Sequence, residues 1–151
     1  YVTDETRLLD VGTGSGLLAI LSLMFGAKHA VGTDLDPCAE EAVAQNCEAN
    51  GIGEAQFEMM IGNIITDKAV QDRAGYGCYD IVVANILADV LVPLTPVIRN
   101  QLKDGGIYIT SGIIDDREDM VAEAVKKAGF EILEITRQGE WVSVTGRKPL
   151  R

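Results

Sequence analysis

The sequence predicts an α/β fold: an open, twisted, mostly parallel seven-stranded sheet with helices on both faces and a C-terminal antiparallel hairpin. Two observations support this prediction. Short apolar runs alternate with longer helical patterns along the chain, which is typical of βαβ units and a parallel sheet. The last two apolar runs are separated only by Gln138 and Gly139, so we expect them to form a hairpin.

The apolar runs and the patterns between them define the predicted elements. Strands are predicted at RLLDV (7–11), HAVGTD (29–34), AQFEMMI (55–61), YDIVVAN (79–85), GIYITS (106–111), FEILEITR (130–137) and EWVSVTGR (140–147), and helices at 15–25, 37–50, 64–72, 87–103 and 116–128. The second helix has the clearest ends, since Asp36 can cap it, Pro37 fits its first position and Gly51 follows its last turn. Pro93 and Pro96 are expected to divide 87–103 into a short turn and a second helix.

The length and composition indicate a single domain over residues 1–151. With 47% hydrophobic residues the chain can bury a substantial core. It contains no apolar run long enough to span a bilayer and no signal-peptide pattern, so no membrane partner is expected. The sequence begins with Tyr1 rather than Met, close to the first strand. We therefore expect an excised domain or a processed fragment, and parts of an active site could lie upstream.

The charge balance indicates which kinds of binding partner are expected. The 13 basic and 23 acidic residues give a net charge of −10. A broad phosphate-binding surface needs clustered Lys and Arg, so direct nucleic-acid binding is not expected. The charge suits a small ligand or a basic protein substrate, and equally an ordinary acidic protein. Cys38, Cys47 and Cys78 lack metal-site spacing, so no metal is expected, and they indicate a reduced, cytoplasmic protein.

A glycine-rich loop follows the first predicted strand. Residues 9–18 read LDVGTGSGLL, a strand, three alternate glycines and the start of a helix. Glycine permits positive φ and close approach of a ligand to the backbone, and the N–H groups of the new helix can bind polar groups. Gly12, Gly14 and Gly16 form GxGxG, whereas the dinucleotide fingerprint GxGxxG requires glycine where Leu17 stands. A simple tight turn is the alternative reading.

An acidic residue stands at the end of the second predicted strand, at an informative spacing from the glycine loop. The second strand ends in VGTDLDP, which places Asp34 22 positions after Gly12. A carboxylate about twenty residues after such a loop can accept hydrogen bonds from both hydroxyls of a ribose. Asp36 has a competing role as a helix cap, so we assign Asp34 to a ligand and Asp36 to structure. The loop and the acid together predict nucleoside binding.

These motifs resemble the S-adenosylmethionine-dependent methyltransferases of the seven-strand Rossmann-like class. DVGTGSG is similar to their first motif, VGTDLDP to the acidic motif of their second strand, and the terminal hairpin to their reversed last strand. The segments LLDVGTGSGLLAI, VGTDLDPCAEEAV, DIVVANILADVL, LKDGGIYITSGII and GEWV together resemble the family that methylates protein eleven of the large ribosomal subunit. The resemblance covers essentially the whole chain. It implies S-adenosylmethionine as cofactor and methylation of lysine side chains and the amino terminus of a ribosomal protein.

The resemblance also implies roles for matching residues. The glycine loop, with Gly12, Thr13, Gly14 and Gly16, and the acid Asp34 stand at cofactor-binding positions.

Two asparagines match further positions. Asn63, in IGNI after the third strand, stands where many of these enzymes carry an acid near adenine, and its amide could bind the exocyclic amine. Asn85 matches the asparagine beside the methyl donor, and we expect it both to contact the cofactor and to act in catalysis. It ends an apolar strand, where an unpaired buried amide costs about 1–3 kcal/mol, so a polar partner is expected. Its carbonyl could orient a neutral amine, and the alternative is a turn-forming residue.

Other polar and aromatic side chains near strand ends are weaker candidates. Thr110 and Ser111 lack a histidine partner for nucleophilic catalysis. Trp141 could line a pocket, but packing in the core or hairpin is favoured. Asp115 and Asp116 are expected at a helix start, where the helix dipole favours negative charge.

The sequence departs from its apparent relatives in two ways. The segment Asn-Ile-Leu-Ala replaces the Pro-Pro and aromatic residues that often follow the catalytic Asn or Asp of amino-group methyltransferases. The family's upstream threonine and substrate-recruiting domain are absent before Tyr1, so we expect weak cofactor binding and no substrate recruitment by this chain alone. An amino-group methyltransferase of a small molecule or nucleic-acid base, and a cofactor-binding domain inactive in isolation, remain the alternatives. The glycine spacing opposes a dehydrogenase.

Overall fold

A seven-stranded sheet lies at the centre of the protein, of which the computed structural model describes residues 2–53 and 55–150. Its strands are β1 (Arg7–Val11), β2 (His29–Asp34), β3 (Phe57–Ile61), β4 (Tyr79–Asn85), β5 (Leu102–Ile114), β6 (Glu131–Gln138) and β7 (Trp141–Arg147). They lie in the order β3-β2-β1-β4-β5-β7-β6. Strands β1 to β5 pair in parallel, and β7 is antiparallel to both β5 and β6. The predicted fold class is confirmed, including the C-terminal hairpin.

Helices cover both faces of this sheet. They are α1 (Leu17–Met24), α2 (Cys38–Ala49), α3 (Lys68–Ala74), α4 (Ala88–Ile98) and α5 (Glu118–Lys127), with a 3-10 turn (Asp115–Arg117) before α5. Buried residues of α1 and α2 share one apolar core with β1 and β2, whereas α3, α4 and α5 share the core on the opposite face. No helix among these described residues is both long and apolar enough to cross a membrane.

The ends of the second helix follow from the residues that the sequence places there. The Cys38 N–H donates to Asp36 Oδ1 at 2.9 Å, so Asp36 caps the helix as expected. Gly51, just beyond the last turn, has φ of 70°, a conformation that costs glycine little. Tyr1, where the sequence starts without Met, lies outside the described residues.

The prediction that Pro93 and Pro96 divide residues 87–103 is wrong. A single helix, α4, runs through both prolines. Its inner face buries Leu91, Leu94 and Ile98 completely, at 0% exposure. Both prolines lie on the exposed side, where the carbonyls that lose a backbone donor can turn toward water. Burial of this apolar face outweighs the cost of the missing hydrogen bonds.

Candidate functional site

A cavity of about 710 Å³ opens at the carboxyl ends of the central parallel strands. Its walls come from the ends of β1 and β2 and from the segments that follow β3 and β4. The lining residues are Val11, Gly12, Thr33, Asp34, Leu35, Gly62, Asn63, Ile64, Ile65, Thr66, Ile86, Leu87, Asp89, Val90 and Pro93. The strand order reverses between β1 and β4, so the cavity lies at the switch point where open α/β sheets bind ligands.

The glycine loop forms one wall through its first glycine. The N–H groups of Gly12 and Thr13 both donate to the Thr33 carbonyl, at 2.8 and 3.0 Å, which ties the loop to the end of β2. Gly12 has φ of 70°, and a Cβ there would come within 2.6 Å of Ile86 Cγ2. Any larger residue would close the cavity between these two segments.

The remaining loop residues lie outside the cavity lining. Thr13 is buried, and its hydroxyl donates to Asp10 Oδ2 at 2.8 Å. Gly14 donates its N–H to Asp34 Oδ2. A Cβ on Gly16 would come within 3.1 Å of Val43, so this glycine permits close packing between α1 and α2. In this structure these three residues shape the loop, and contact with a cofactor stays a prediction for them.

Asp34 lies in the cavity wall with its carboxylate already oriented. Its Oδ2 accepts from the Gly14 N–H at 2.8 Å, and its Oδ1 accepts from the Asp36 N–H at 3.0 Å. Each carboxylate oxygen has a second lone pair, so both remain able to accept a further hydrogen bond. The side chain is half-buried at the end of β2, in position to receive two donors from a ligand.

Asn63 also lies in the cavity wall, in the segment that follows β3. Its Oδ1 accepts from the Ile65 N–H at 3.0 Å, and its own carbonyl accepts from the Asp67 N–H at 2.7 Å. Asn63 therefore orders the turn between β3 and α3. The side-chain oxygen keeps one lone pair for a ligand donor.

Asn85 ends β4 beside the cavity. Asn85 itself is not among the described lining residues of the cavity, but the next two residues of the chain, Ile86 and Leu87, are. Asn85 is exposed and lies opposite Ser111 in the β4–β5 register. Gly112, with φ of 75°, leaves room for it, because a Cβ there would overlap the Asn85 Oδ1. Gly112 therefore allows the Asn85 side chain to lie over the end of β5.

Asp10 is a buried carboxyl that the sequence reasoning did not single out. It is only 2% exposed, inside β1 and directly before the glycine loop. Burial raises its pKa to about 6, while the hydrogen bonds from Thr13 and the Ala19 backbone lower it and the charge of Asp34 raises it further. An acid inside an otherwise apolar strand was the available signal.

The wall formed by α4 was also missed. Leu87, Asp89, Val90 and Pro93 line the cavity, whereas the sequence indicated only a helical segment divided by its two prolines. Their role depends on how the helix meets the strand ends, which periodicity does not show.

The weaker candidates lie elsewhere or have structural roles. Thr110 is buried and its hydroxyl donates to the Val144 carbonyl. Asp115 and Asp116 begin the 3-10 turn before α5, close to the expected helix start. Trp141 pairs with Ile114 in the hairpin sheet but is 52% exposed, so packing in the core is excluded for it.

The family described as ribosomal protein L11 methyltransferase (PrmA) matches residues 1–149. The chain belongs to this family. It is 56% identical to the ribosomal protein L11 methyltransferase of Lachnospira eligens over 149 residues, which cover 98% of this chain and 47% of that protein. It is 50% identical to the one of Agathobacter rectalis over 145 residues, covering 96% and 45%. The chain thus spans about half the length of these curated relatives.

Solved structures agree with this family membership. The ribosomal protein L11 methylase of Lactobacillus delbrueckii subsp. bulgaricus superposes with a TM-score of 0.83 at 32% identity, over 95% of this chain and 70% of that one. An RNA methyltransferase from Salinibacter ruber, solved with S-adenosyl-L-homocysteine, superposes with a TM-score of 0.75 at 17% identity, over 99% and 85%. At that identity the second likeness concerns the fold alone.

Proposed function

We propose that residues 1–151 form the methyltransferase domain of a ribosomal protein L11 methyltransferase, which transfers methyl groups from S-adenosylmethionine to amino groups of L11. Family membership supports this proposal, as does the position of the cavity. The observation that carries it is that Gly12, Asp34 and Asn63, three separate motif positions, line one cavity at the switch point.

The cavity suits a nucleoside with an attached amino acid. Its volume of about 710 Å³ lies within the usual range for a small-ligand site. Gly12 leaves open a space that a Cβ would fill, so the ligand can lie against the loop backbone. Asp34 offers two acceptor oxygens to the ribose hydroxyls, and Asn63 offers its amide to the base. The apolar walls of Ile64 and Ile86 suit the adenine faces.

The chain's own contribution to methyl transfer is to place the acceptor amine. S-adenosylmethionine supplies an electrophilic methyl group on a sulfonium. A lysine amine must be neutral to attack it, which costs about 4–5 kcal/mol at pH 7 for an unperturbed pKa near 10.4. The Asn85 Oδ1 can accept a hydrogen from the neutral amine and direct its lone pair toward the end of the cavity. Because the asparagine is uncharged, it favours the ammonium form less than a carboxylate would.

Protein L11, at its lysines and amino terminus, is the proposed substrate. The family description supports this assignment, and the net charge of −10 suits a basic partner. A ribosomal substrate and three free cysteines together support a cytoplasmic location.

Two measurements test the proposed function. Calorimetry on the 151-residue chain should show binding of S-adenosylhomocysteine and weaker or no binding of NAD. Equal or tighter binding of NAD would reject the cofactor assignment. Mass spectrometry of L11 after incubation with S-adenosylmethionine should show added methyl groups, with the full-length Lachnospira eligens relative as positive control. If that relative methylates L11 and this chain binds cofactor without methylating it, the domain is inactive in isolation.

A further inference from the structure

A carboxylate and its counter-ion stand at the mouth of the cavity. Asp89 lies in the first turn of α4 and lines the cavity, and its side chain is 73% exposed. Its Oδ1 lies 3.1 Å from Nη1 of Arg117, which reaches it from the 3-10 turn before α5. The guanidinium is itself half exposed. The pair therefore bridges two elements directly beside the site described above.

Exposed apolar side chains lie close in the chain to each member of this ion pair. On the α4 side, Leu87 and Val90 line the cavity and remain 69% and 40% exposed. On the other side, Ile114 and Trp141 face each other in the β5–β7 register and are also exposed. The ion pair between Asp89 and Arg117 brings the segments that carry these two pairs together. Grouped exposed apolar side chains mark contact surfaces more often than isolated ones do. We call Leu87, Asp89, Val90, Ile114 and Trp141 the mouth surface.

The charge around the mouth surface is negative. A depression of about 570 Å³ next to it is lined by Asp115, Asp116, Glu118 and Asp119 together with Arg137. Arg137 is held by Glu118 in a two-pronged contact of 2.6 and 2.7 Å, which leaves the three aspartates facing solvent. A cationic segment is the complementary partner for apolar surface with this surrounding charge.

We propose that the mouth surface binds the lysine-bearing segment of the protein substrate, with Asp89 exchanging Arg117 for the incoming ammonium group. This proposal rests on the proposed function and names how its substrate is positioned. Exposed ion pairs are weak, so the exchange meets little resistance. The methylenes of a lysine pack on Leu87 and Val90 while its charged end lies at the carboxylate. Asp89 is thus a positioning residue that binds the ammonium form, and the amine reaches Asn85 after its proton has passed to solvent water at the exposed mouth.

The two members of the ion pair make opposite predictions. Asp89→Asn removes the acceptor for the ammonium and should weaken binding of a short alanine–lysine peptide about threefold to fivefold. Arg117→Gln removes the competitor and one positive charge, so it should tighten binding of the same peptide. A purely structural ion pair between α4 and the 3-10 turn would make both variants behave alike.

The chain offers its own reporter and its own control. Trp141 is the only tryptophan in the sequence, so the fluorescence of the 151-residue chain reports on the mouth surface. Arg73 and Glu58 form an exposed ion pair of the same 3.1 Å length, and Glu58 lies near the amino end of β3, away from the cavity. Glu58→Gln therefore removes an equal charge and an equivalent ion pair at the far edge of the sheet.

The experiment is a calorimetric titration of each folded variant with the peptide, accompanied by Trp141 emission. We expect weaker binding for Asp89→Asn, tighter binding for Arg117→Gln, little change for Glu58→Gln, and an emission change on binding. Shifts of the same sign in the first two variants, an equal loss in Glu58→Gln, or unchanged emission would each overturn the proposal. A parallel titration with S-adenosylhomocysteine tests the proposed function separately. Absence of binding in that titration contradicts the proposed function, whereas the peptide titration alone tests the mouth surface.

Discussion

Replacing Asp10 by asparagine should make the protein more stable at neutral pH. The carboxyl is almost completely buried in β1, and burial raises its pKa to about 6 from an ordinary value of 3.8. An ionised carboxylate at this position is therefore less favourable in the folded protein than in the unfolded chain. Asparagine has nearly the same shape and carries no charge, and its single side-chain oxygen can keep one of the two hydrogen bonds that the carboxylate accepts, the one from Thr13.

The direction of the pH dependence follows from this raised pKa. As the pH falls from 8, the folded chain binds a proton at Asp10 first, at about pH 6, so its free energy of unfolding increases. The increase is complete once the unfolded chain is also protonated, below about pH 3.8. The difference between the two pKa values corresponds to about 3 kcal/mol. This value sets the scale of what Asp10→Asn can gain at pH 8.

Urea unfolding followed by circular dichroism at several pH values measures this difference. We expect the variant to be more stable than the wild type at pH 8, and the advantage to shrink toward zero as the pH approaches 4. His29 has a pKa lowered by burial, so its protonation affects stability with the opposite sign, but it is present in both proteins and cancels in the comparison. Asp4→Asn, which changes an exposed acid, serves as control. An advantage that does not vary with pH, or a variant less stable at pH 8, would refute the reasoning.

Three further predictions concern the cavity. Gly12→Ala should reduce S-adenosylhomocysteine affinity at least tenfold, because its Cβ would come within 2.6 Å of Ile86 and would require a strained φ; calorimetry showing wild-type affinity would exclude this contact. Asp34→Ala should cost about 1.5–3 kcal/mol of cofactor binding, whereas Asp36→Ala should mainly lose about 1 kcal/mol of unfolding free energy; equal binding defects in two folded variants would contradict this division. Asn85→Asp should slow single-turnover methyl transfer near neutral pH and partly recover at higher pH, since a carboxylate holds the ammonium form; wild-type rates would leave Asn85 a turn residue.

Periodicity and turn chemistry predicted the elements of this fold but not all of their ends. The alternation of apolar runs and helical patterns gave each strand and helix its approximate place, because burial of one face is a local property of the sequence. Strand β5 runs from Leu102 to Ile114, well beyond the predicted 106–111. Its additional residues include the polar Lys103 and Asp104, which fall in the irregular stretch of the β4–β5 register between Leu102 and Ile107. Such an irregularity depends on the neighbouring strand and is not a local property of the sequence.

Some residues of the candidate site could likewise be predicted from the sequence, and others could not. Gly12 and Asp34 could be predicted because they stand at the carboxyl ends of parallel strands, which meet at one edge, whereas Asn63 was predicted from the family resemblance. The α4 wall could not, because Leu87 and Val90 have the sequence pattern of core residues. Only the packing of the helix shows that these two side chains remain exposed at the mouth.

Asp34 shows why the glycine loop and the acid have to be considered together. Its two oxygens hold the N–H groups of Gly14 and Asp36, so the carboxylate stabilises the loop after β1 and the turn before α2 while it faces the cavity. A ligand therefore meets acceptors whose direction is already determined, and little ordering remains to be done on binding. Because one carboxylate makes both sets of contacts, Asp34→Ala should weaken both the loop and the ribose contact. Asp34→Asn should weaken both as well, because its one carboxamide oxygen cannot serve the N–H groups of Gly14 and Asp36 and two ribose hydroxyls together.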